Sequence, residues 1–237
     1  MEYTLVFLPL LGAIISGFFG RYIGDRNSEI ITSLLVSISA FLSLIVFKDV
    51  VISNYENNLS IASWISSGML EVNWSIKIDA VSSVMLVVVC LISSLVHIYS
   101  IGYMSSDPHK TRFMAYLSLF TFSMLVLVTS DNFLQLFFGW EGVGLCSYFL
   151  IGFWFKKDSA NNAAIKAFLV NRIGDFGFAL GIFLIFYLFG TVNYNEVFLS
   201  VPELLNHKIS FAGISINSID LICIFLFIGA MGKSAQF

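Results

Sequence analysis

Residues 136–146 read LFFGWEGVGLC, an apolar segment that carries one charged side chain, Glu141. No other acidic or basic residue lies between Asp131 and Lys156. A helix of about 20 apolar residues crosses a bilayer, and a rise of 1.5 Å per residue places Glu141 roughly 14 Å inside such a helix. A charge at that depth costs at least about 2.5 kcal/mol, and chains keep one mainly where it has a task. The segment therefore predicts a membrane protein with a functional carboxylate.

The composition of the whole chain agrees with a membrane protein. Of the 237 residues, 58% are hydrophobic and 11% are charged, whereas a soluble domain has about 25% charged residues. The net charge of −3 is spread over the loops, so nothing indicates a nucleic-acid partner. The three cysteines lie far apart in apolar runs, which favours packing positions over a disulfide or a zinc site.

Six segments are long and apolar enough to cross a bilayer. They are residues 3–20, 28–47, 80–101, 112–130, 132–155 and 162–190, and a seventh begins near Ser218 and is still running at Phe237.

The basic residues predict how these spans are oriented. Loops after spans one, three and five hold Arg21, Arg26, Lys110, Arg112, Lys156, Lys157 and Lys166. Loops after spans two, four and six hold only Lys48, Lys77 and Lys208. Because loops rich in Lys and Arg stay on the cytoplasmic or matrix side, we expect the N-terminus to lie outside.

One loop has a strand pattern. Residues 70–79 alternate strictly between apolar and polar side chains, a period typical of a strand. Residues 61–65, before the turn-forming residues 66–68, could pair with it in a hairpin. The topology places this hairpin on the outer face, where it either contacts a neighbouring subunit or caps the bundle.

The sequence thus predicts an all-α polytopic membrane protein with six transmembrane helices and a truncated seventh. It divides into a two-helix segment (1–60), an outer-face β-hairpin (61–79) and a helical bundle (80–237) that is cut off in its last helix.

Three more charged residues lie well inside the predicted spans, away from the ends where other charged residues occur. Lys233 stands about fourteen residues into the seventh span, roughly 21 Å from its start. That depth lets it meet Glu141, in a pair that either passes a proton or only holds two helices together. Arg172 and Asp175 share one helical face and either neutralise each other or also tune the field at that pair.

The remaining polar residues in the spans give weaker signals. His97, late in the third span, is expected to pack near the interface rather than to join a relay. No glycine-rich nucleotide loop and no pair of histidines at metal or haem spacing occurs in the sequence.

Three segments carry a resemblance to a known family. They are residues 139–148 (GWEGVGLCSY), 171–175 (NRIGD) and 232–236 (GKSAQ). They resemble the antiporter-like membrane subunits of NADH–quinone oxidoreductase (complex I), the family of bacterial subunit L and mitochondrial chain 5. The resemblance covers essentially the whole chain. These motifs separate that family poorly from the large subunits of Mrp-type cation/proton antiporters and of membrane-bound hydrogenases.

The resemblance implies a proton-translocating subunit of the membrane arm, driven by quinone reduction in other subunits. It matches Glu141 and Lys233 to the first half-channel pair of the family, and Arg172 and Asp175 to the charged residues of the sixth span. It implies no cofactor or metal on this chain, since NAD, FMN, iron–sulfur clusters and quinone belong to partner subunits. The expected partners are the other membrane-arm subunits and the lipid bilayer.

Family members continue past this lysine, so the chain is expected to be an N-terminal fragment that cannot complete a proton path alone. The expected location is the bacterial inner membrane, with the mitochondrial inner membrane as the alternative. An Mrp-type cation/proton antiporter subunit is the alternative function, and a non-conducting scaffold is a third.

Overall fold

The computed structural model describes residues 1–211, 213–234 and 236. Its helices are α1 (Glu2–Ile23), α2 (Asp25–Ser53), α3 (Ala80–Tyr103), α4 (Lys110–Val128), α5 (Phe133–Ile151), α6 (Asp158–Phe189), α7 (Tyr194–Ser200) and α8 (Ser218–Lys233). Its strands are β1 (Asn57–Ser67), β2 (Leu70–Ile78), β3 (Lys208–Phe211) and β4 (Ile214–Asn217), and a 3₁₀ turn spans Val201–Leu204.

Helices α1 to α6 confirm the six predicted spans. Each is long and apolar enough to cross a membrane. The predicted seventh span differs, because α8 has 16 residues and ends at Lys233. That length is below the roughly 20 residues that a perpendicular span needs. Ser234 caps α8, and Ala235 and Phe237, included in the predicted span, lie outside the described residues.

The helices run between two chemically different ends. One end, here called the basic end, carries the connections α1–α2, α3–α4 and α5–α6, with residues such as Arg26, Lys110 and Lys157. The other, here called the hairpin end, carries β1 and β2, α7, β3 and β4. Successive helices run antiparallel and are joined by short connections, so the loops alternate between the two ends.

The helices pack in two groups. In the first, α1 contacts α2 and α4, and α2 contacts α3; in the second, α5 contacts α6, and α6 contacts α8. Helix α4 also packs on α5 and so joins the groups. Each group has its own apolar core, built around Leu86 and Leu125 in the first and around Phe178 and Ile185 in the second.

The hairpin contributes to both cores. Strands β1 and β2 pair antiparallel, with Asn57 opposite Ile78 and Ser67 opposite Leu70. The first strand therefore begins four residues before the predicted start at residue 61. Ile76 and Ile78 pack in the first core and Val72 in the second, so the apolar side of β2 is buried on the helices. The hairpin thus caps the helical bundle, which is one of the two roles that the sequence left open for it.

Polar groups of α5 fix the hairpin in place. The amide of Gln135, which is 1% exposed, accepts a hydrogen bond from Ser75 N at 2.9 Å and donates one to Ser75 O at 2.7 Å. Asn132 caps α5 and also donates to Asn73 O. These bonds satisfy buried backbone groups and fix the depth of α5, and therefore the depth of Glu141.

The start of α7 lies beside the connection between α4 and α5, next to the residues that hold the hairpin. Tyr194 N donates to Asp131 O at 3.0 Å, and the Tyr194 and Ser130 hydroxyls lie 3.0 Å apart. Burial raises the pKa of Tyr194 to about 12, so this hydroxyl stays protonated at any physiological pH. Helix α7 has no counterpart in the sequence-based prediction, since its seven residues are too few to show a helical period.

Glycines allow α8 to lie close against α6. A Cβ built on Gly174 would lie 3.1 Å from Gly232 Cα, and one on Gly177 would lie 2.6 Å from a side-chain carbon of Ile228. Small residues permit such close helix contact in membranes. This contact places Lys233, the last residue of α8, beside the charged residues of α6.

Candidate functional site

The four predicted charged residues come together where α5, α6 and α8 meet. Helix α5 contributes Glu141, α6 contributes Arg172 and Asp175, and α8 contributes Lys233. They belong to one set of linked contacts, which also includes Trp140 of α5.

Glu141 pairs with Arg172, not with Lys233. The Arg172 Nη1 atom lies 2.6 Å from Glu141 Oε1 and 3.8 Å from Asp175 Oδ2. Glu141 and Lys233 are both described, and no direct ion pair joins them. The direct pair expected from the sequence is therefore not formed in this structure. The reason is geometric: helix depth from the sequence gives the level of each charge but not the side of the helix on which it lies.

Asp175 is the most deeply buried member of the set. Its side chain is 8% exposed, against 23% for Glu141 and 46% for Arg172. Arg172 lies between the two carboxylates, so mutual neutralisation within α6, one of the two roles left open by the sequence, does not describe all of its contacts. The arginine links α6 to α5, and its guanidinium also lies over the Phe168 ring at 4.8 Å, where the ring quadrupole favours a cation.

Trp140 connects the carboxylates to the lysine. Its indole Nε1 donates to Asp175 Oδ1 at 2.7 Å, and its backbone carbonyl accepts from Lys233 Nζ at 2.8 Å. The Lys233 ammonium also lies 5.4 Å from the centre of the indole ring. Stacking on Phe178, with centroids 4.9 Å apart, holds that ring in place. One residue therefore touches both Asp175 and Lys233.

Gly144 makes room for the lysine. A Cβ at this position would lie 2.7 Å from Lys233 Nζ, closer than side-chain carbons approach other atoms. From the sequence, Gly139, Gly142 and Gly144 are expected to clear space beside Glu141 for a close helix or for water. The structure fills these spaces with Leu127, Ser123 and Lys233 respectively.

The set is balanced in charge. Two carboxylates and two cations sum to zero when all are ionised, which lowers the cost of holding them away from water. Two unit charges about 4 Å apart interact by about 4 kcal/mol at an effective dielectric of about 20. A proton gained or lost at one member therefore changes the energy of its neighbours substantially.

Sequence reasoning missed Trp140 as a connecting residue. A tryptophan in an apolar run is most often a packing residue, and nothing in its neighbours shows that its indole N–H has a carboxylate partner. The adjacent Glu141 was the available signal, since a buried indole N–H usually finds a hydrogen-bond acceptor.

No metal site accompanies the charges. Within residues 1–211, 213–234 and 236, no group of three or more His, Cys, Asp or Glu side chains could hold a metal ion. The site therefore consists of ionisable side chains, an indole and backbone carbonyls, a set that can bind, hold and pass protons.

Two family models match the chain. Residues 130–237 match the model described as "NADH:quinone oxidoreductase/Mrp antiporter, TM". Residues 64–114 match "NADH-Ubiquinone oxidoreductase (complex I), chain 5 N-terminus". The first match contains all five residues of the charged site, and the second contains most of the hairpin.

Curated relatives are similar over nearly the whole chain. NADH-ubiquinone oxidoreductase chain 5 of Triticum aestivum is 57% identical over 236 residues, which cover 100% of this chain and 35% of that protein. NADH-quinone oxidoreductase subunit L of Rickettsia bellii is 50% identical over 232 residues, which cover 98% of this chain and 36% of that protein. The chain thus spans about a third of the length of the relatives that it matches.

Solved structures share the fold at lower sequence identity. The Mrp complex from Dietzia sp. DQ12-45-1b contains a chain that matches 98% of this one with a TM-score of 0.77 at 20% identity, over 23% of its own length. An archaeal membrane-bound sulfane sulfur reductase matches 97% of this chain with a TM-score of 0.75 at 13% identity, over 33% of its own length. These similarities concern the fold alone.

Proposed function

We propose that this chain, which is similar to the antiporter-like subunits of NADH:quinone oxidoreductase and of Mrp antiporters, carries part of a proton-translocating path in the membrane arm of NADH:quinone oxidoreductase. Quinone reduction in other subunits supplies the free energy. NAD, FMN, iron–sulfur clusters and quinone are held by those partner subunits. The basic end faces the bacterial cytoplasm or the mitochondrial matrix, so the N-terminus and the hairpin lie outside.

The observation that carries this proposal is the linked set of charges inside the helices. Ionisable residues within membrane spans are costly and mostly mark ion paths. Here Glu141, Arg172, Asp175 and Lys233 are joined through short contacts that run across three helices. A scaffold would be equally stable, or more so, with apolar residues at these positions.

The geometry suggests how a proton moves the charges. While Glu141 is ionised, it holds Arg172 at 2.6 Å. When Glu141 binds a proton, that attraction weakens, and Arg172 is drawn toward Asp175, which is already only 3.8 Å away. A stronger Arg172–Asp175 pair then reduces the negative charge that Asp175 presents to its other neighbours.

Trp140 transmits this change to Lys233. The indole bonds to Asp175, and the carbonyl of the same residue holds the ammonium. A shift of Asp175 toward Arg172 therefore pulls on the residue that positions Lys233. In the reverse direction, loss of the proton from Lys233 removes a positive charge near Asp175 and favours Arg172 there. Proton occupancy of Glu141 and of Lys233 is thus coupled without a direct bond between them.

Purification of the tagged protein from its native membranes tests the proposal. We expect NADH:quinone oxidoreductase activity to purify with it, and NADH oxidation by the reconstituted preparation to move protons across sealed vesicles, because the path is driven from partner subunits. The control is a mock purification from membranes without the tag.

Two other outcomes would contradict this assignment. Sodium/proton exchange without NADH oxidation would instead establish the antiporter function, which shares the same fold. A preparation with neither activity, although the expected partners are present, would indicate a scaffold.

A further inference from the structure

The half of the α1–α4 group nearest the basic end is lined by polar side chains. The buried polar residues there include Ser28, Glu29, Ser33, Ser94, His97 and Ser118. The half nearest the hairpin end also buries serines, among them Ser43 and Ser83, but those hydroxyls donate to backbone carbonyls of their own helices. Serine and threonine are common where membrane helices pack closely, so the buried polar atoms that lack a hydrogen-bond partner are what distinguish the half nearest the basic end.

His97 lies at the inner end of this polar region. Its side chain is 0% exposed, and it lies about 10 Å inside α3 from the basic end, at 1.5 Å per residue. Its Nε2 lies 3.0 Å from Ser118 Oγ, and its Nδ1 lies 2.8 Å from Ser93 O. Ser93 Oγ in turn lies 2.5 Å from Thr121 Oγ1. The histidine is therefore buried among hydroxyls rather than packed near the interface, contrary to the expectation from the sequence.

Unpaired polar atoms lie between His97 and the basic end. Glu29 and Ser33 are 5% and 6% exposed. Among the described residues, neither Glu29 Oε1 nor Ser33 Oγ has a hydrogen-bond partner in the protein, and the same holds for Ser28 Oγ. Lys110 Nζ lies 3.9 Å from Glu29 Oε1, too far for a hydrogen bond.

These atoms follow one face of α2 toward α3. Glu29, Ser33 and Ser37 are spaced four residues apart. The Ser37 Oγ atom lies 2.8 Å from Ser94 Oγ of α3, and Ser94 is one helical turn from His97. A buried oxygen without a hydrogen-bond partner destabilises the fold, and no bulk water reaches a bilayer interior to offset that cost. Buried polar groups of this kind are usually bonded to internal water.

We propose that this polar region, between α2, α3 and α4, is a water-filled pocket that opens at the basic end and ends at His97 and Thr121. Its ligands are water molecules and the protons that they carry. Glu29 at the mouth and His97 at the inner end are its proton-binding groups, with Lys110 as the charged neighbour from α4, while α1 contributes the hydroxyl of Ser16. The pocket is separate from the Glu141 site and does not depend on the function proposed for that site.

Accessibility of a cysteine at position 33 tests this pocket. The three free cysteines, Cys90, Cys146 and Cys223, are first replaced by serine, and Ser33→Cys is then exposed to silver ions in membrane vesicles that carry the full protein. Ser43→Cys is the matched control, because Ser43 is 0% exposed on the same helix and lies at a similar depth from the opposite end. We expect position 33 to be blocked at least about tenfold faster, since the proposed pocket brings water to it, whereas Ser43 is bonded to Ala40 O within its own helix.

A second measurement uses the unsubstituted protein. Deuterium exchange at the imidazole C2 position reports whether water reaches a histidine, and the exposed His109 provides the internal reference. We expect His97 to exchange within about tenfold of His109, because a hydrated site needs no unfolding to exchange.

Each measurement can overturn the pocket. Equal blocking of positions 33 and 43 would show that the two halves of the bundle are equally dry. Absence of measurable exchange at His97, while His109 exchanges, would show that no water reaches the imidazole. If Ser33→Cys fails to accumulate in the membrane, the exchange measurement alone decides.

Discussion

Replacement of Glu141 by glutamine is expected to slow proton transport at least about tenfold, because the proposed relay then loses the group that would gain and release the proton. Glutamine has nearly the same shape, and its amide oxygen can still accept a hydrogen bond from Arg172. A neutral hydrogen bond from Arg172 to the glutamine can therefore replace the 2.6 Å ion pair between α5 and α6, and the helices should still pack. The measurement is proton transport per unit of assembled protein in sealed vesicles.

A matched control separates the relay from a general effect of charge. Glu196→Gln makes the same chemical change on the exposed surface of α7, and we expect transport in this variant to equal that of the unsubstituted protein. Normal transport in Glu141→Gln would refute the relay. Equal slowing in both variants would show that the effect is not specific to the site.

Substitution of Gly139 by alanine is expected to destabilise the bundle by about 1–3 kcal/mol, as overpacking of a close contact does. A Cβ at this position would lie 2.6 Å from Leu127 N and 2.7 Å from Leu127 Cα. Both are backbone atoms of α4, so no side-chain rotation can relieve the clash, and α4 and α5 must separate. Thermal unfolding in detergent measures the effect, at about 2–4 °C per kcal/mol for a chain of this size.

Gly102→Ala is the control for this prediction. Gly102 lies in α3, and a Cβ there would meet no atom within 4 Å among the described residues. Because alanine favours the helix by roughly 1 kcal/mol over glycine, we expect an unchanged or slightly raised melting temperature. If both alanine variants melt at the same temperature, the close approach of α4 and α5 does not contribute to stability.

The spans and the glycine contacts could be predicted from the sequence because they depend on local patterns. Apolar runs of sufficient length gave α1 to α6, and strict alternation gave β2. Gly174, Gly177 and Gly181 share one face of a helix, a spacing that predicts a close helix contact, and the structure brings α8 against that face. In each case a single segment contains the information, since periodicity follows from backbone geometry alone.

The pairing of the charged side chains in the site could not be predicted in the same way. The sequence placed Glu141 and Lys233 at compatible depths, but which partner each one meets depends on how α5, α6 and α8 are rotated about their axes. That rotation is set by tertiary contacts, such as the bonds of Gln135 to β2 and the stacking of Trp140 on Phe178. Arg172 therefore took the place that the sequence had given to Lys233.

His97 shows the same limit for the second polar region. Its position near the end of a span suggested a residue at the interface. The hydroxyls that surround it come from α3 and α4. One of them, Ser118, is more than twenty residues away from His97 in the chain. Serine and threonine are common in membrane helices, so only their convergence in space distinguishes this region.

Infrared difference spectroscopy of the assembled protein during turnover tests the central claim most directly, namely that Glu141 changes protonation as part of a charge network linked through Trp140. The account predicts a band from the carbonyl stretch of a protonated carboxylic acid that is absent in Glu141→Gln. It also predicts that this band shifts in Trp140→Phe, where the indole bond to Asp175 is lost. A band that persists unchanged in Glu141→Gln, or no carboxylic-acid band in the actively transporting unsubstituted protein, would contradict it.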